Sequence, residues 1–217
     1  MMLTPAALQL SGLVPFTTVD CPGRLSAVVF CQGCVWRCRY CHNTHLQPFQ
    51  NGTIPWHRVE AFLQTRCGLL DAVVFSGGEP TAQPALSTAV DRVRSLGYEA
   101  ALHTAGMHPQ RFRTLLPRLH WVGLDIKAPL DERYDRVVGR PGAAAAVRES
   151  LSLLLASGVA FELRTTVHPL LLTPADREDL CAQLAAMGAP HPRWQTFRSL
   201  GCKDQELNAA SPSSSSC

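Results

Sequence analysis

Cys31, Cys34, Cys38 and Cys41 crowd into one short stretch of the chain. Thiolates at Cys34, Cys38 and Cys41 can converge on a single iron-sulfur cluster, because a short loop folds over it. Three ligands leave one iron without a side chain, and an open metal position is what substrate chemistry needs. The spacing alone also allows a closed site in which Cys31 joins the other three, either as a four-thiolate zinc centre or as an electron-transfer cluster. Two features weigh against closure. Cys31 ends an apolar run, where its side chain points toward a core, and the chain carries further polar motifs that a zinc knuckle does not require.

Those further motifs recur after later apolar runs. Ser76-Gly77-Gly78-Glu79-Pro80 places paired glycines where backbone can approach a ligand closely, although a plain turn has the same composition. Asp125 and Lys127 lie two residues apart, so a strand would present them on one face. As a pair ending an apolar run they suit a polar pocket better than bulk water, the solvated ion pair being the alternative. Arg164 sits inside an apolar strand-like run and must find an anion or a carbonyl, since an unpaired buried guanidinium is costly. His103 and His168 each stand at a strand end; His168, before Pro169, is as often structural as functional.

The elements that would position these residues alternate. Short β-branched or apolar runs are predicted as strands over Leu25 to Phe30, Ala72 to Ser76, Glu99 to His103, Trp121 to Ile126, Ala160 to Val167 and Arg193 to Phe197. Helices are expected to start near Pro55, Pro84, Pro109, Asp131, Ala143 and Thr173. The alternation predicts an α/β fold with parallel strands, either a partial barrel or a doubly wound sheet. In both, ligands gather at the carboxyl ends of the strands, where the polar motifs fall.

A chain of 217 residues with 46% hydrophobic content can bury one sizeable core, so residues 1–208 read as a single domain. The serine-rich stretch over 209–217 reads as a disordered low-complexity tail. The net charge of +3 and the scattered basic residues give no footprint for nucleic acid or an acidic membrane. The first ten residues lack Lys and Arg and no apolar run reaches membrane-spanning length, which makes a cytoplasmic protein the expectation. Nine cysteines, four of them crowded, suit reduced metal-binding thiolates better than a disulfide framework. Cys67 and Cys181, in helix-like segments, read as small apolar residues with no role.

With the spacing Cys34-x3-Cys38-x2-Cys41 and an aromatic residue before the last cysteine, the chain resembles the radical S-adenosylmethionine superfamily. The resemblance implies a partial (β/α)6 TIM-type barrel and a 4Fe-4S cluster held by Cys34, Cys38 and Cys41. It also implies S-adenosylmethionine on the open iron, with Tyr40 against the adenine and Gly77, Gly78 and Glu79 at the methionine amino group. Asp125-Ile126-Lys127, Arg164-Thr165-Thr166-Val167-His168-Pro169, Cys41-His42-Asn43 and the opening Gly12 to Arg24 resemble activating proteins of glycyl-radical enzymes. In them the aspartate, lysine and arginine order the cofactor, which makes Asp125, Lys127 and Arg164 cofactor contacts and puts Lys127 with the catalytic set. His103 and Ala105 stand where many of those proteins have aspartate and asparagine, which puts a cation site in doubt and leaves His103 as a hydrogen-bonding candidate toward cofactor or peptide. The nearest group resembles activators of anaerobic ribonucleoside-triphosphate reductase, reduced by flavodoxin or ferredoxin. An activator of pyruvate formate-lyase or of another glycyl-radical enzyme, another peptide-modifying radical enzyme, an iron-sulfur electron carrier and a zinc module are the alternatives. Only Cys67 lies between the cysteine motif and the next strand, so one cluster is expected.

Overall fold

The computed structural model describes residues 8–210. Its elements run in the order β1 (Leu10–Thr17), β2 (Ser26–Cys31), α1 (Trp56–Gln64), β3 (Ala72–Gly77), α2 (Leu86–Ser95) and β4 (Glu99–Thr104). There follow α3 (Pro109–Leu115), β5 (Trp121–Asp125), α4 (Glu132–Val138), α5 (Ala143–Ser157), β6 (Ala160–Val167), α6 (Pro174–Ala186), β7 (Arg193–Thr196) and α7 (Gln205–Ala209). One sheet holds all seven strands in the order of the chain, with β1 antiparallel to β2 and every later pair parallel.

That order decides between the two expected architectures. A doubly wound sheet reverses its strand order to put helices on both faces, whereas a barrel adds each strand beside the last. The observed order never reverses, so the sheet is an incomplete TIM-type barrel with β1 and β7 as its free edges. The six predicted strands match β2 to β7 within a residue or so at each end.

Two elements depart from the sequence reading. Leu10–Thr17, part of the segment read as a turn-rich entry, is an extended strand pairing with β2 through two register irregularities. Its Gly12 and Pro15 disguise it, and an edge strand tolerates both because one side of its backbone has no ladder to complete. The expected boundary at residue 208 falls inside α7, which Asp204 starts by accepting a hydrogen bond from the Leu207 amide. The serine-rich stretch from Ser211 onward lies outside the described residues. Cys67 follows α1 in a turn and is exposed rather than buried, while Cys181 does lie in α6.

The two faces of the sheet bury different things. The outward face, with Val29, Val73, Phe75 and Leu102, packs under the helices as the main core. The inward face carries a row that registers directly across four strands, Val28 beside Val74, Val74 beside Ala101 and Ala101 beside Trp121. Cys21, fully buried on the turn between β1 and β2, packs against this row and closes the lower interior. Arg24 of the same turn clamps Glu99 at the start of β4 at 2.6 Å. Period-two alternation thus makes the lower interior apolar and hands the upper interior to Ser76, His103, Asp125, Arg164 and Thr166.

Candidate active site

A cavity of about 220 Å3 opens at the carboxyl ends of the strands. Every residue that the sequence assigns to cluster or cofactor reaches it: Cys34, Cys38, Cys41, Tyr40, Gly77, Gly78, Glu79, His103, Asp125, Lys127 and Arg164. Cys31 does not. It is fully buried in the main core beneath the helices, and burial pushes its thiol far above the ordinary range.

The cysteine loop follows β2 and alternates. Cys34, Trp36, Cys38 and Tyr40 line the cavity, while Val35 and Arg37 are exposed on the other side. The loop is fixed by neighbours on both flanks. The Arg37 and Arg39 amides donate to the carbonyls of Val138 and Val137 at the end of α4, and Gly33 and Cys34 donate to Leu46 and Gln47. Trp36 meets Tyr134 edge-on at 5.9 Å. Burial, reinforced by Glu79, pushes the Cys34 thiol up to about 12; burial likewise lifts Cys38 to about 11, with Lys127 opposing. Metal binding there must displace protons that the bare pocket retains.

The glycines after β3 serve contact between backbones. A Cβ on Gly78 would stand 2.5 Å from the Gly33 carbonyl oxygen, and one on Gly77, whose φ is +116°, would stand 2.5 Å from the Cys31 amide nitrogen. Glu79 is 1% exposed, and its carboxylate accepts from the Thr81 amide and hydroxyl, the Thr104 hydroxyl and the Ala105 amide. It thereby ties the β3 loop to the end of β4, and Glu79 is among the residues that line the cavity.

Across the cavity, Asp125 pairs in register with Arg164, and the Arg164 Nε donates to Asp125 Oδ1 at 3.0 Å. Lys127 Nζ lies 3.5 Å from the other carboxylate oxygen and 5.5 Å from the centre of the Tyr40 ring. Burial alone would raise the Asp125 pKa, but Arg164 and Lys127 outweigh it and hold the carboxyl below its usual range. Burial alone would likewise depress Lys127, yet Tyr40 and Asp125 keep it well above its ordinary value. The site is a charge-ordered wall of two cations around one carboxylate. Gly123 makes the wall possible, since a Cβ there would stand 2.8 Å from the Arg164 guanidinium carbon.

His103 Nε2 lies 2.8 Å from the Asp20 carbonyl oxygen. A carbonyl only accepts, so Nε2 carries the proton and Nδ1 is left as an acceptor. Burial, with the Arg164 charge, pushes this imidazole down to about 4, so it is neutral at physiological pH. His168 is 1% exposed; its Nε2 faces the Leu207 carbonyl at 3.0 Å and its Nδ1 accepts from the Leu170 amide, a structural arrangement. The sequence reading missed Trp36, Met107, Thr166 and Gln195, which also line the cavity. Thr166 was within reach of it by the two-residue alternation from Arg164, and Gln195 is its register partner on β7.

Comparison with known proteins gives the family. The model of the Radical SAM superfamily matches residues 28–184. A Methanocaldococcus jannaschii protein described as a candidate glycyl-radical enzyme activating enzyme is 30% identical over 178 residues, 78% of this chain and 72% of its own length. A pyruvate formate-lyase-activating enzyme of Clostridium pasteurianum is 31% identical over 131 residues, covering 56% of this chain and 53% of that protein. Among solved structures, anSMEcpe with bound AdoMet superimposes with a TM-score of 0.63 at 17% identity, over 77% of this chain and 49% of that one. The chain belongs to the radical S-adenosylmethionine superfamily, and the two relatives named above are described as glycyl-radical enzyme and pyruvate formate-lyase activating enzymes. Enzymes of the superfamily use a 4Fe-4S cluster and S-adenosylmethionine.

The residues present fit those two groups. Cys34, Cys38 and Cys41 share one cavity without a fourth thiol, and the glycine backbones draw the β3 loop against the cysteine loop. Among the described residues no three His, Cys, Asp or Glu side chains converge as a single metal ion would require, whereas cluster ligands each hold a different iron. Among the same residues no helix is long and apolar enough to cross a membrane.

Proposed function

We propose that the chain generates a glycyl radical on a partner enzyme, with Cys34, Cys38 and Cys41 holding the cluster. A 4Fe-4S cluster and S-adenosylmethionine held there would supply one-electron cleavage of the sulfonium carbon-sulfur bond, giving methionine and the 5′-deoxyadenosyl radical that would take the glycine α-hydrogen. The observation that carries this reading is that the cysteine triad and the Asp125–Lys127–Arg164 wall face one cavity while Cys31 faces the core.

The side chains divide the work. Lys127 and Arg164 offer positive charge to the cofactor carboxylate, and Asp125 holds both in place at 3.5 Å and 2.9 Å. Glu79 offers a carboxylate oxygen to the methionine amino group, and Gly77 and Gly78 let backbone approach it. Tyr40 lies against the adenine, and the neutral His103 presents its Nδ1 acceptor to the cofactor or the incoming peptide. Trp36, Met107 and Tyr40 make the cavity partly apolar, which excludes water from a radical that would otherwise be quenched.

We assign anaerobic ribonucleoside-triphosphate reductase as the partner, a flavodoxin or ferredoxin as the electron donor and the cytoplasm as the compartment. Similarity to pyruvate formate-lyase-activating enzymes supports pyruvate formate-lyase as the second partner to test. Anaerobic reconstitution with iron and sulfide, followed by assay for 5′-deoxyadenosine under dithionite, tests the chemistry. Mixing with each candidate enzyme and recording the glycyl radical by electron paramagnetic resonance tests the partner. A cluster that forms only with Cys31 present, and yields no 5′-deoxyadenosine, rejects the reading.

A further inference from the structure

Glycine gives an enzyme nothing to hold but its backbone. Its α-hydrogen can be aimed only by groups that grip the peptide units on either side. A charged side chain suits this poorly, since setting a desolvated charge against a neutral amide is costly. A carboxamide suits it well, because its N–H donates to a peptide carbonyl while its oxygen accepts from a peptide N–H. The cavity holds neutral polar side chains that the cofactor leaves unused: Asn43, Gln47, Ser76, Thr166 and Gln195.

Two of these form a unit. Thr166 on β6 and Gln195 on β7 are register partners, so their side chains leave adjacent strands, about 5 Å apart, on the same inward face. Thr166 lies two residues beyond Arg164, and β6 runs toward the mouth of the cavity. The pair therefore stands one step above the ion pair of Asp125 with Arg164, on the mouth side of the charged wall. Among the described residues neither side chain has a hydrogen-bond partner. Other threonines nearby are committed: the Thr165 hydroxyl donates to the Ile126 carbonyl and the Thr104 hydroxyl to Glu79. Arg193, one step below Gln195 on β7, is paired with Glu162 at 3.6 Å. Gln195 is exposed on the free edge of the sheet, where an incoming segment can reach it.

We infer that Thr166 and Gln195 are a substrate-binding pair that clamps the peptide backbone flanking the target glycine, above the cofactor. The inference rests on the proposed function, whose substrate it describes. Gln195 spans one peptide unit with a donor and an acceptor, and the Thr166 hydroxyl bonds the next polar group along the backbone. Because both groups are neutral and act on main chain, they read an extended, accessible backbone rather than a charge or a side chain.

The test uses the full reconstituted chain, oxidised and loaded with S-adenosylmethionine. The probe is a fluorescein-tagged peptide of alanines around a central glycine, read by anaerobic fluorescence anisotropy. Gln195→Leu, which keeps the bulk and removes both polar groups, is expected to weaken peptide binding by about tenfold, and Thr166→Val by about threefold. Affinity for S-adenosylmethionine is expected to change much less. An ester in place of the glycine amide or the amide after it deletes one N–H, and at one of the two positions is expected to weaken wild-type binding by about fivefold. In Gln195→Leu that penalty is expected to vanish, a non-additivity that a merely structural role does not produce. Unaltered peptide affinity in Gln195→Leu, equal losses of peptide and cofactor affinity, or an ester penalty that persists in the variant overturns the inference and leaves Gln195 a solvated edge residue. A wild-type chain that does not bind the peptide overturns it as well. A wild-type chain that binds the peptide yet gives no 5′-deoxyadenosine with dithionite refutes the proposed function instead, and the anisotropy comparison, which needs no electron, still judges the pair.

Discussion

Replacing Gly78 with alanine adds one methyl group at a tight backbone crossing in the site. The new Cβ would stand 2.5 Å from the Gly33 carbonyl oxygen and 2.9 Å from the Leu46 carbonyl oxygen. Neither neighbour is the tip of a flexible side chain, so relief requires the loop between β2 and the first cluster cysteine to move away from β3. That movement breaks the 2.9 Å hydrogen bond from the Glu79 amide to the Gly33 carbonyl, worth about 1 kcal/mol. Overpacking adds about 1–3 kcal/mol, giving a total of about 2–4 kcal/mol. Because Glu79 and Cys34 both ride on the displaced backbone, the loss falls on the site as well as on stability. Urea unfolding of the cluster-free variant is expected to show the full destabilisation, and iron analysis after reconstitution is expected to show reduced cluster content. A G78A chain that unfolds within about 0.5 kcal/mol of wild type, with full iron and unchanged S-adenosylmethionine affinity, refutes the reasoning about this crossing.

Other perturbations probe separate parts of the site. Asp125→Asn removes the carboxylate between two buried cations; cofactor affinity is expected to fall by at least about tenfold and stability by about 3 kcal/mol, read by equilibrium dialysis and urea unfolding. His103 has a depressed folded pKa, so the unfolded chain binds its proton first, and stability is expected to decline as pH falls from about 6.5 toward about 4. His103→Gln in the cluster-free chain should flatten that part of the pH–stability curve; an unchanged curve would assign the slope to other groups. Cys31→Ala is expected to keep full iron content, whereas Cys34→Ala should lose the cluster signal in absorbance and paramagnetic resonance. Arg39→Ala cuts the links to Asp204 at 2.7 Å and Glu206 at 2.6 Å, and should speed cluster loss in air without altering the spectrum of freshly reconstituted protein.

Much of the site could be read from the chain because its residues follow strands at a fixed phase. Asp125 and Lys127 share a face through strand alternation, and Arg164 had to find an anion or a carbonyl, which the register and the ion pair show to be the Asp125 carboxylate. What escaped was set by tertiary contact. β1 breaks its own pattern with Gly12 and Pro15 and is held in place by pairing with β2. The docking of α7 and the preceding turn onto the cysteine loop, through Arg39, the His42–Leu200 contact at 3.0 Å and the Cys202 thiol, joins segments far apart in the chain. Gly123 gave a weak local signal as a glycine inside a strand, but its reason, a lane for Arg164, lies on the neighbouring strand. The choice between barrel and doubly wound sheet likewise needed the strand order.

The turn carrying Cys21 makes the barrel a blind well. With Cys21 wedged against Val28, Val74, Ala101 and Trp121, and Asp20 bonded to His103 above them, nothing can leave through the lower end. Whatever enters must arrive and depart through the upper rim or the open side between β1 and β7. A small molecule seated at the bottom is then trapped by a macromolecule that covers those openings, which imposes an order of entry and makes departure of the larger guest the gate for emptying the well.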